Sequence, residues 1–545
     1  MKQLQAVSIV APGFAGLNTQ ESSVTLTSNY ALTADNCIID KFGRLGARKG
    51  WTQQTTDGVT ELSNLNIEAL AEHVNADDTV DIISAGNNKL FIGGVGAALT
   101  DVTPGAYAIS ANNWKVASLN DHAFLVQESH PPLIFTRESG SPVMHPETSH
   151  TAHGGPYTPS YGSSYPRDVI AAYGRFWVHD GSMVYWSTDI ADTAFPAFSG
   201  GTSGFLNITA ILPNNVDTIT ALAVHNNFLV IFCQRNIIIY EGADNPLGDF
   251  KISDVIAGVG CVARDTVQST GGDLIFLSDT GVRSLGRLIQ EKSLPMRDLT
   301  KNVRDDLLEL MANEVVVNGG YDKVKTVYSE VNAFYLLSFP STSTIYCLDM
   351  RAALEDGSSR VTTWSTKTTA FLRTRDRDVL LGKKNGIGKY EGYIDNTTQY
   401  SMKYYSNYID MENSSMTKML KKVSITVVGG SNQDFIIKAG YDYTGSYFSY
   451  PFTINAGAGY EFTDPEPVFD PTASPPVPNT PLVPFPENSA QFGEAEFTIG
   501  VLIDRVNAQV QGSGKVIQIG FEATVEGNEI SVQKLDMFVK TGRIS

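Results

Sequence analysis

Several short stretches of the chain carry residue types that perform chemistry. In FWVHDGSMVYWSTD, residues 176–189, His179 stands beside Asp180 between two aromatic runs. An acid–base pair needs a substrate proton within hydrogen-bond reach and a carboxylate across from the imidazole, whereas adjacent residues of a strand point to opposite sides. With Gly181 next, HDGS reads as the turn of a β-hairpin. MHPETSHTAHGG, residues 144–155, holds His145, His150 and His153. Clustered imidazoles bind zinc, but this H-x4-H-x2-H pattern sits among Pro, Ser, Thr and Gly with no strand or helix expected to aim the rings. Residues 138–166 therefore read as a contact loop, and no metal ligand is assigned.

Other motifs fall short in the same way. SDTGVRS (278–284) approaches the Asp-box turn of sialidase-like propellers but lacks its spacing and its closing aromatic. DRDVLLGKKNG (376–386) lacks the acidic alternation and final Glu of a calcium loop. No phosphate-binding GxxxxGK[ST], GxSxG, HExxH or strand-borne GxGxxG occurs in usable context, so the residues argue for no enzyme, catalytic residue, metal or cofactor. Cys37, Cys233, Cys261 and Cys347 are far apart, with no CxxC, and read as buried free thiols.

The elements that must position these residues are strands. At 545 residues with 42% hydrophobic and 18% charged side chains, 48 Gly, 23 Tyr and 26 Phe, the chain has the profile of a turn-rich β protein of two or three units. One pattern recurs: an apolar strand, a short polar turn and a second apolar strand, at 81–94, 123–137, 176–189, 228–242, 273–286, 334–349 and 379–392. Turn formers stand at the centres: Asn87-Asn88, Pro131-Pro132, Asp180-Gly181, Asp279-Thr280-Gly281 and Asn385-Gly386. Further short strands, at 69–74, 113–120, 167–174, 218–226 and 323–330, precede five of the hairpins. Repeated meanders at this spacing predict a mostly β fold, a β-propeller of about six to seven irregular blades.

The expected organisation is an N-terminal arm with strands over 1–60, a propeller over 61–397 and a β-sandwich-like domain over 398–545. The arm carries a basic patch of Lys41, Arg44, Arg48 and Lys49, the candidate contacts to an acidic neighbour. Leu299, Val303, Leu307 and Leu310 recur at helical spacing in 295–314 and predict an amphipathic insertion. Nine prolines in 464–488 exclude helix and inner strand and make a surface loop. No apolar run is long enough for a membrane span, and the N-terminus does not read as a secretory signal. A formal net charge of −18 speaks against a phosphate-neutralising nucleic-acid clamp and is compatible with a conduit.

Three segments together carry a family resemblance: GLNTQESSVTLTSNYALTADNCIIDKFGRLGARKGW, RDVIAAYGRFWVHDGSMVYWSTDIADTAFP, and TITALAVHNNFLVIFCQRNIIIYEGADNP with GVGCVARDTVQSTGGDLIFLSDTGVRSL. Over residues 10 to 390 the chain resembles the nozzle proteins (tail tubular protein B) of short-tailed bacteriophages. The resemblance implies a structural protein of the virion tail, active in genome ejection. Six copies would form a tail-tube ring below the head-to-tail adaptor proteins, with tail fibres or spikes nearby and genome DNA passing through the lumen without sequence-specific binding. The competing class is a glycan-binding or glycan-cleaving propeller of a tail spike, for which Trp177, Tyr185 and Trp186 would be the stacking platforms.

Overall fold

The computed structural model describes residues 5–544 apart from 24–25, 56–58, 94–95, 106–107, 139, 147–164, 191–195, 212–216, 291–297, 412–414 and 456–502. His150, His153 and the proline-rich 464–488 lie outside the described residues.

All seven expected hairpins form, each at the centre of one blade. Blade 1 comprises Ala69–Val74, Val80–Gly86, Lys89–Gly93 and Thr100–Asp101; blade 2, Lys115–Leu119, His122–Gln127, His130–Glu138 and Ser141–Pro146. Blade 3 comprises Asp168–Ala172, Arg175–His179, Met183–Trp186 and Gly204–Asn207; blade 4, Ile219–His225, Phe228–Cys233, Asn236–Glu241 and Lys251–Ala257. Blade 5 has three strands, Gln268–Ser269, Leu274–Ser278 and Gly281–Ser284. Blade 6 comprises Lys325–Ser329, Phe334–Phe339, Thr344–Asp349 and Arg360–Ser365. Blade 7 comprises Ala370–Arg373, Val379–Lys383 and Gly386–Lys389, and its fourth strand, Thr52–Gln53, comes from the N-terminal segment. The protein is thus mostly β, and its described residues form a ring of six four-stranded blades and one with three strands, closed by pairing the two ends of the propeller segment.

Local chemistry sets the hairpins. Asn87 and Asn88 both take left-handed backbone, φ 52° and 55°, which a two-residue turn between right-twisted strands requires and asparagine tolerates. The blade 2 hairpin departs from expectation: it reverses at Glu128–Ser129, and Pro131-Pro132 lie in the returning strand. They are tolerated there because the register shifts at Gln127↔His130 and pairing with Ser141–Pro146 begins only at Leu133, so neither proline must supply a ladder donor.

The blades bury both faces against their neighbours. Phe124 of blade 2 stacks on Phe176 of blade 3 at 5.3 Å, and Val178 joins that cluster. Val184, Trp177 and Trp186 face the other way and pack on blade 4. The insertion is a single 3-10 turn, Lys301–Val303, followed by an α-helix, Arg304–Asn318. It starts and ends later than 295–314, and Gly319 stops it in left-handed backbone at φ 77°, its N–H bonded to the Val315 carbonyl. Leu299, Val303, Leu307 and Met311 are its buried contacts, whereas Leu310 is only partly covered.

Two packed sheets follow the propeller. One contains Met416–Gly429, Ile503–Gln509 and Ile530–Ile544; the other contains Tyr400–Ser406, Ser431–Tyr441, Tyr447–Asn455 and Ile517–Val525. Alternate residues of each, such as Val423, Ile425 and Leu535 against Phe435, Ile519 and Phe521, share one core. The N-terminal segment is woven into both sheets: Gln5–Val10 pairs with Ile530–Ile544, and Tyr30–Asp35 pairs with Tyr400–Ser406. Tyr30–Asp35 also touches the outer strand of blade 6 through Thr363↔Asp35, so one ten-stranded sheet runs from propeller to sandwich.

Arg48 locks this junction. It is 2% exposed, donates to both oxygens of Asp395 at 2.8 and 2.7 Å and to Asn36 at 2.8 Å, and lies 4.0 Å over the Tyr400 ring. Removing one member of a buried, hydrogen-bonded ion pair leaves an uncompensated charge, so Arg48→Ala should cost about 3–5 kcal/mol in urea unfolding. Lys41→Ala, at an exposed position, should stay within about 0.5 kcal/mol.

Candidate functional site: the propeller axis

The inner strands of the blades surround an axis that is closed by a three-residue 3-10 turn, Arg264–Thr266, inserted just before blade 5. Arg264 donates to the Arg167 carbonyl at 2.7 Å, to Asn113 Oδ1 at 2.8 Å and to both oxygens of Asp265 at 3.1 and 2.8 Å. Asp265 also receives Lys115 Nζ at 3.3 Å and Lys325 Nζ, which donates to Asn113 as well. The turn's backbone is held too: Thr326 Oγ1 donates to the Asp265 carbonyl at 2.9 Å, and Tyr335 Oη to the Thr266 carbonyl at 2.8 Å. One turn thereby ties together residues of blades 2 and 6 and the segment leading into blade 3.

Charge in this cluster is strongly coupled. Burial by itself would raise the Asp265 carboxyl, but Arg264, Lys325 and Lys115 overcome it and hold the group well below the usual carboxylate range. Burial lowers Lys325, and the neighbouring Arg264 and Lys115 cations add to that, against the pull of Asp265. Asp168, buried at the start of blade 3, is raised by burial against the pull of Lys115 and Arg264, and accepts the backbone N–H groups of Val169 and Leu222. Two hollows border the plug. One of about 340 Å³ is lined by Glu72, Lys115, Gln268, Lys325 and Arg373, and one of about 200 Å³ by Asn113, Lys323, Lys367 and Asn318; both reach Glu68 and Lys325.

The residues singled out in the sequence are not brought together. His179 is fully buried, and its Nδ1 accepts the Gly181 N–H at 3.1 Å. Asp180 Oδ1 accepts the N–H groups of Ser182 and Met183 at 2.9 and 2.8 Å, so the pair is the turn of a blade 3 hairpin. His145 lies on a blade 2 strand, contrary to the expectation of an unstructured setting, and meets Glu138 at 2.8 Å. Among the described residues no group of three or more His, Cys, Asp or Glu side chains is placed to hold a metal ion. In SDTGVRS, Arg283 binds Thr280 at 2.7 Å and faces Asp298 at 3.0 Å in an internal cluster. Trp177, Tyr185 and Trp186 are 0, 6 and 5% exposed and present no stacking face to a sugar.

The basic patch divides. Arg48 is the internal lock described above, and Arg44 is paired with Asp40 at 2.6 Å. The Lys49 N–H donates to Tyr390 Oη, and only Lys41, with the neighbouring Phe42, stands fully at the surface. All four cysteines are free and buried, and burial pushes the thiols of Cys233 and Cys261 up to about 12, where they are poor nucleophiles. The axial turn went unread in the sequence although it lies inside the quoted GVGCVARDT stretch. Its signal was an Arg-Asp pair placed directly before a blade strand, but the partners Asn113, Lys115 and Lys325 are remote in the chain.

No protein-family model and no curated protein matches this chain. Among solved structures it is similar to YCF48 bound to D1 peptide, at 11% identity and a TM-score of 0.37 over 63% of this chain and 97% of that one. It is also similar to an extracellular domain of BT4673 from B. thetaiotaomicron, at 10% identity and a TM-score of 0.31 over 69% of this chain and 40% of that one. A third similarity is to a protein from Lactobacillus plantarum, at 11% identity and a TM-score of 0.34 over 66% of this chain and 92% of that one. The class of the protein, a β-propeller joined to a β-sandwich, rests on its own strand pairing.

Two measurements check the electrostatics. Asp265→Ala leaves three cations around an empty centre and should destabilise the fold by about 3–5 kcal/mol in chemical denaturation. Burial, then repulsion from Arg167 and Arg264, lowers His179 to about 3 from an ordinary 6.5. Between those values the unfolded chain binds the extra proton, so His179 subtracts stability as pH falls from about 6.5 towards 3, by up to about 1.4 kcal/mol per pH unit. His179→Gln should flatten the acid limb of stability against pH by that amount.

Proposed function

We propose that the protein is a structural subunit of the tail nozzle of a short-tailed bacteriophage, one of six copies in a ring whose shared lumen conducts the genome. The carrying observation is the closed axis. The larger axial hollow holds only about 340 Å³ and is bordered by Asp265 and Lys325, so a single propeller offers no bore for a duplex whose major groove alone is roughly 12 Å wide. A genome conduit built from this chain therefore lies between copies, and the propeller serves as wall. The strand closure of blade 7 and the sheet continuous with the sandwich suit a wall that must stay rigid under load.

The surface supports assembly as well. Phe205 and Leu247 are 64 and 61% exposed beside blades 3 and 4, and Val316 and Val317 are 83 and 65% exposed at the end of the helix. Exposed apolar side chains at different places on one chain suit heterologous contacts, which generate a ring when the rotation between copies closes. The net charge of −18 suits a channel that DNA leaves without sticking. Adaptor proteins on one side of the ring and fibres or spikes on the other complete the proposed setting. Mass photometry and negative-stain microscopy of the purified chain should show hexameric rings with no retention or cleavage of host glycans. A monomer or trimer that retains or cleaves them would overturn the reading in favour of a tail-spike propeller.

A further inference from the structure

Two surfaces of opposite charge stand on opposite flanks of the chain. The first is a knob, the turn between the paired strands Cys37–Ile39 and Leu45–Ala47. Asp40 fixes its shape: Oδ1 accepts the N–H groups of Phe42 and Arg44 at 2.8 and 2.9 Å, and Oδ2 accepts the Arg44 side chain at 2.6 Å. Gly43, at φ 73°, lies against Pro12 so closely that a side chain there would collide with it. Phe42 is thereby held outwards, 56% exposed, with the Arg44 guanidinium 4.5 Å and the Lys41 ammonium 5.0 Å from its ring centroid. Asp40 is spent on Arg44, and Lys41 makes no ion pair among the described residues, so the tip offers an aromatic ring and a cation. The knob stands at the outer edge of blade 6, where Arg351 donates to the Ile39 carbonyl and Thr363 pairs with Asp35.

The second surface lies between the outer strands of blades 3 and 4. Ile252 and Val255 stand opposite Tyr240 and Ile238, which pack on Trp177, Val184 and Trp186, so both turn towards blade 3. The outer strand of blade 3 has only four residues against seven in blade 4, and Ile252 and Val255 stay 42 and 40% exposed. Leu247 projects from the loop just before them. The segment 241–257 carries Glu241, Asp244, Asp249 and Asp254 against Lys251 alone, which is paired with Glu241 at 2.9 Å. Asp244 acts on Tyr173 of blade 3, which places its charge on this flank. In a ring of seven, blade 3 is three places from blade 6 and blade 4 is two, so the acidic apolar flank and the basic aromatic knob face away from each other. One chain cannot join them, but two copies can. We infer that the Lys41–Phe42 turn of one copy seats on the flank between blades 3 and 4 of the next, a heterologous contact that a prearranged turn makes at little entropic cost. The inference deepens the nozzle reading and rests on it for closure at six copies; the contact itself concerns any two.

Two double variants of the full chain test it, both at exposed positions, with unchanged thermal unfolding as the check on the fold. Lys41→Glu with Phe42→Ser removes the knob, and Ile252→Ser with Val255→Ser removes its seat. In sedimentation velocity each variant alone should associate about tenfold or more weakly than the parent chain. Mixed in equal amounts they should form a dimer through the one intact contact and no closed ring, the signature of a head-to-tail interface. Rings formed by either variant at parental concentrations, or a mixture that stays monomeric, would overturn the inference while leaving the nozzle reading standing. Parent chains that associate through the knob but never close at six would sustain the inference and overturn the nozzle reading. A parent chain that is monomeric throughout would overturn both.

Discussion

Three cations meet one carboxylate at the centre of the propeller, and the ring depends on that meeting. A propeller's blades bury their faces against neighbours, but their inner edges converge on an axis where backbone and charge must be satisfied by something other than the next blade. Here Arg264–Thr266 supplies it: Arg264 reaches Asn113 and the Arg167 carbonyl, Asp265 collects Lys115 and Lys325, and Tyr335 and Thr326 hold the turn's carbonyls. The blade that follows this turn shows three strands among the described residues.

A second lock couples propeller to sandwich. The segment from Gln5 to Gln53 contributes strands to both sandwich sheets and then closes blade 7, so the two units cannot swing independently without breaking strand pairing. Arg48 sits at the crossing, its guanidinium shared between Asp395, Asn36 and the Tyr400 ring. Such a junction is rigid by construction, which is what a load-carrying wall requires and a hinged binding module would avoid.

Much of this architecture was legible in the residues, and the reason is locality. Asn87-Asn88, Asp180-Gly181 and Asn385-Gly386 impose their turns within four residues, so the seven hairpins could be read one by one. His179-Asp180 could be dismissed as a catalytic pair on the same grounds, since the Asp180 carboxylate is consumed by the backbone of its own turn. What could not be read is non-local. Arg48 looked like a surface cation because nothing near it in sequence reveals Asp395, 347 residues away. The axial turn was hidden likewise, its partners spread from Asn113 to Lys325. Pro131-Pro132 misled for the opposite reason: a local turn signal was overridden by a register shift that leaves both prolines free of ladder duties.

The functional account joins these features. A closed axis, a fused sandwich and an acidic chain suit a subunit that builds a conduit with its copies. A cryo-electron-microscopy reconstruction of the purified protein in its assembled form tests this most directly. The account predicts protomers whose axes are each filled at Arg264–Asp265, arranged around one common lumen wide enough for duplex DNA. A solitary protomer, or a ring in which the axis of each propeller stands open and carries the DNA, would contradict it.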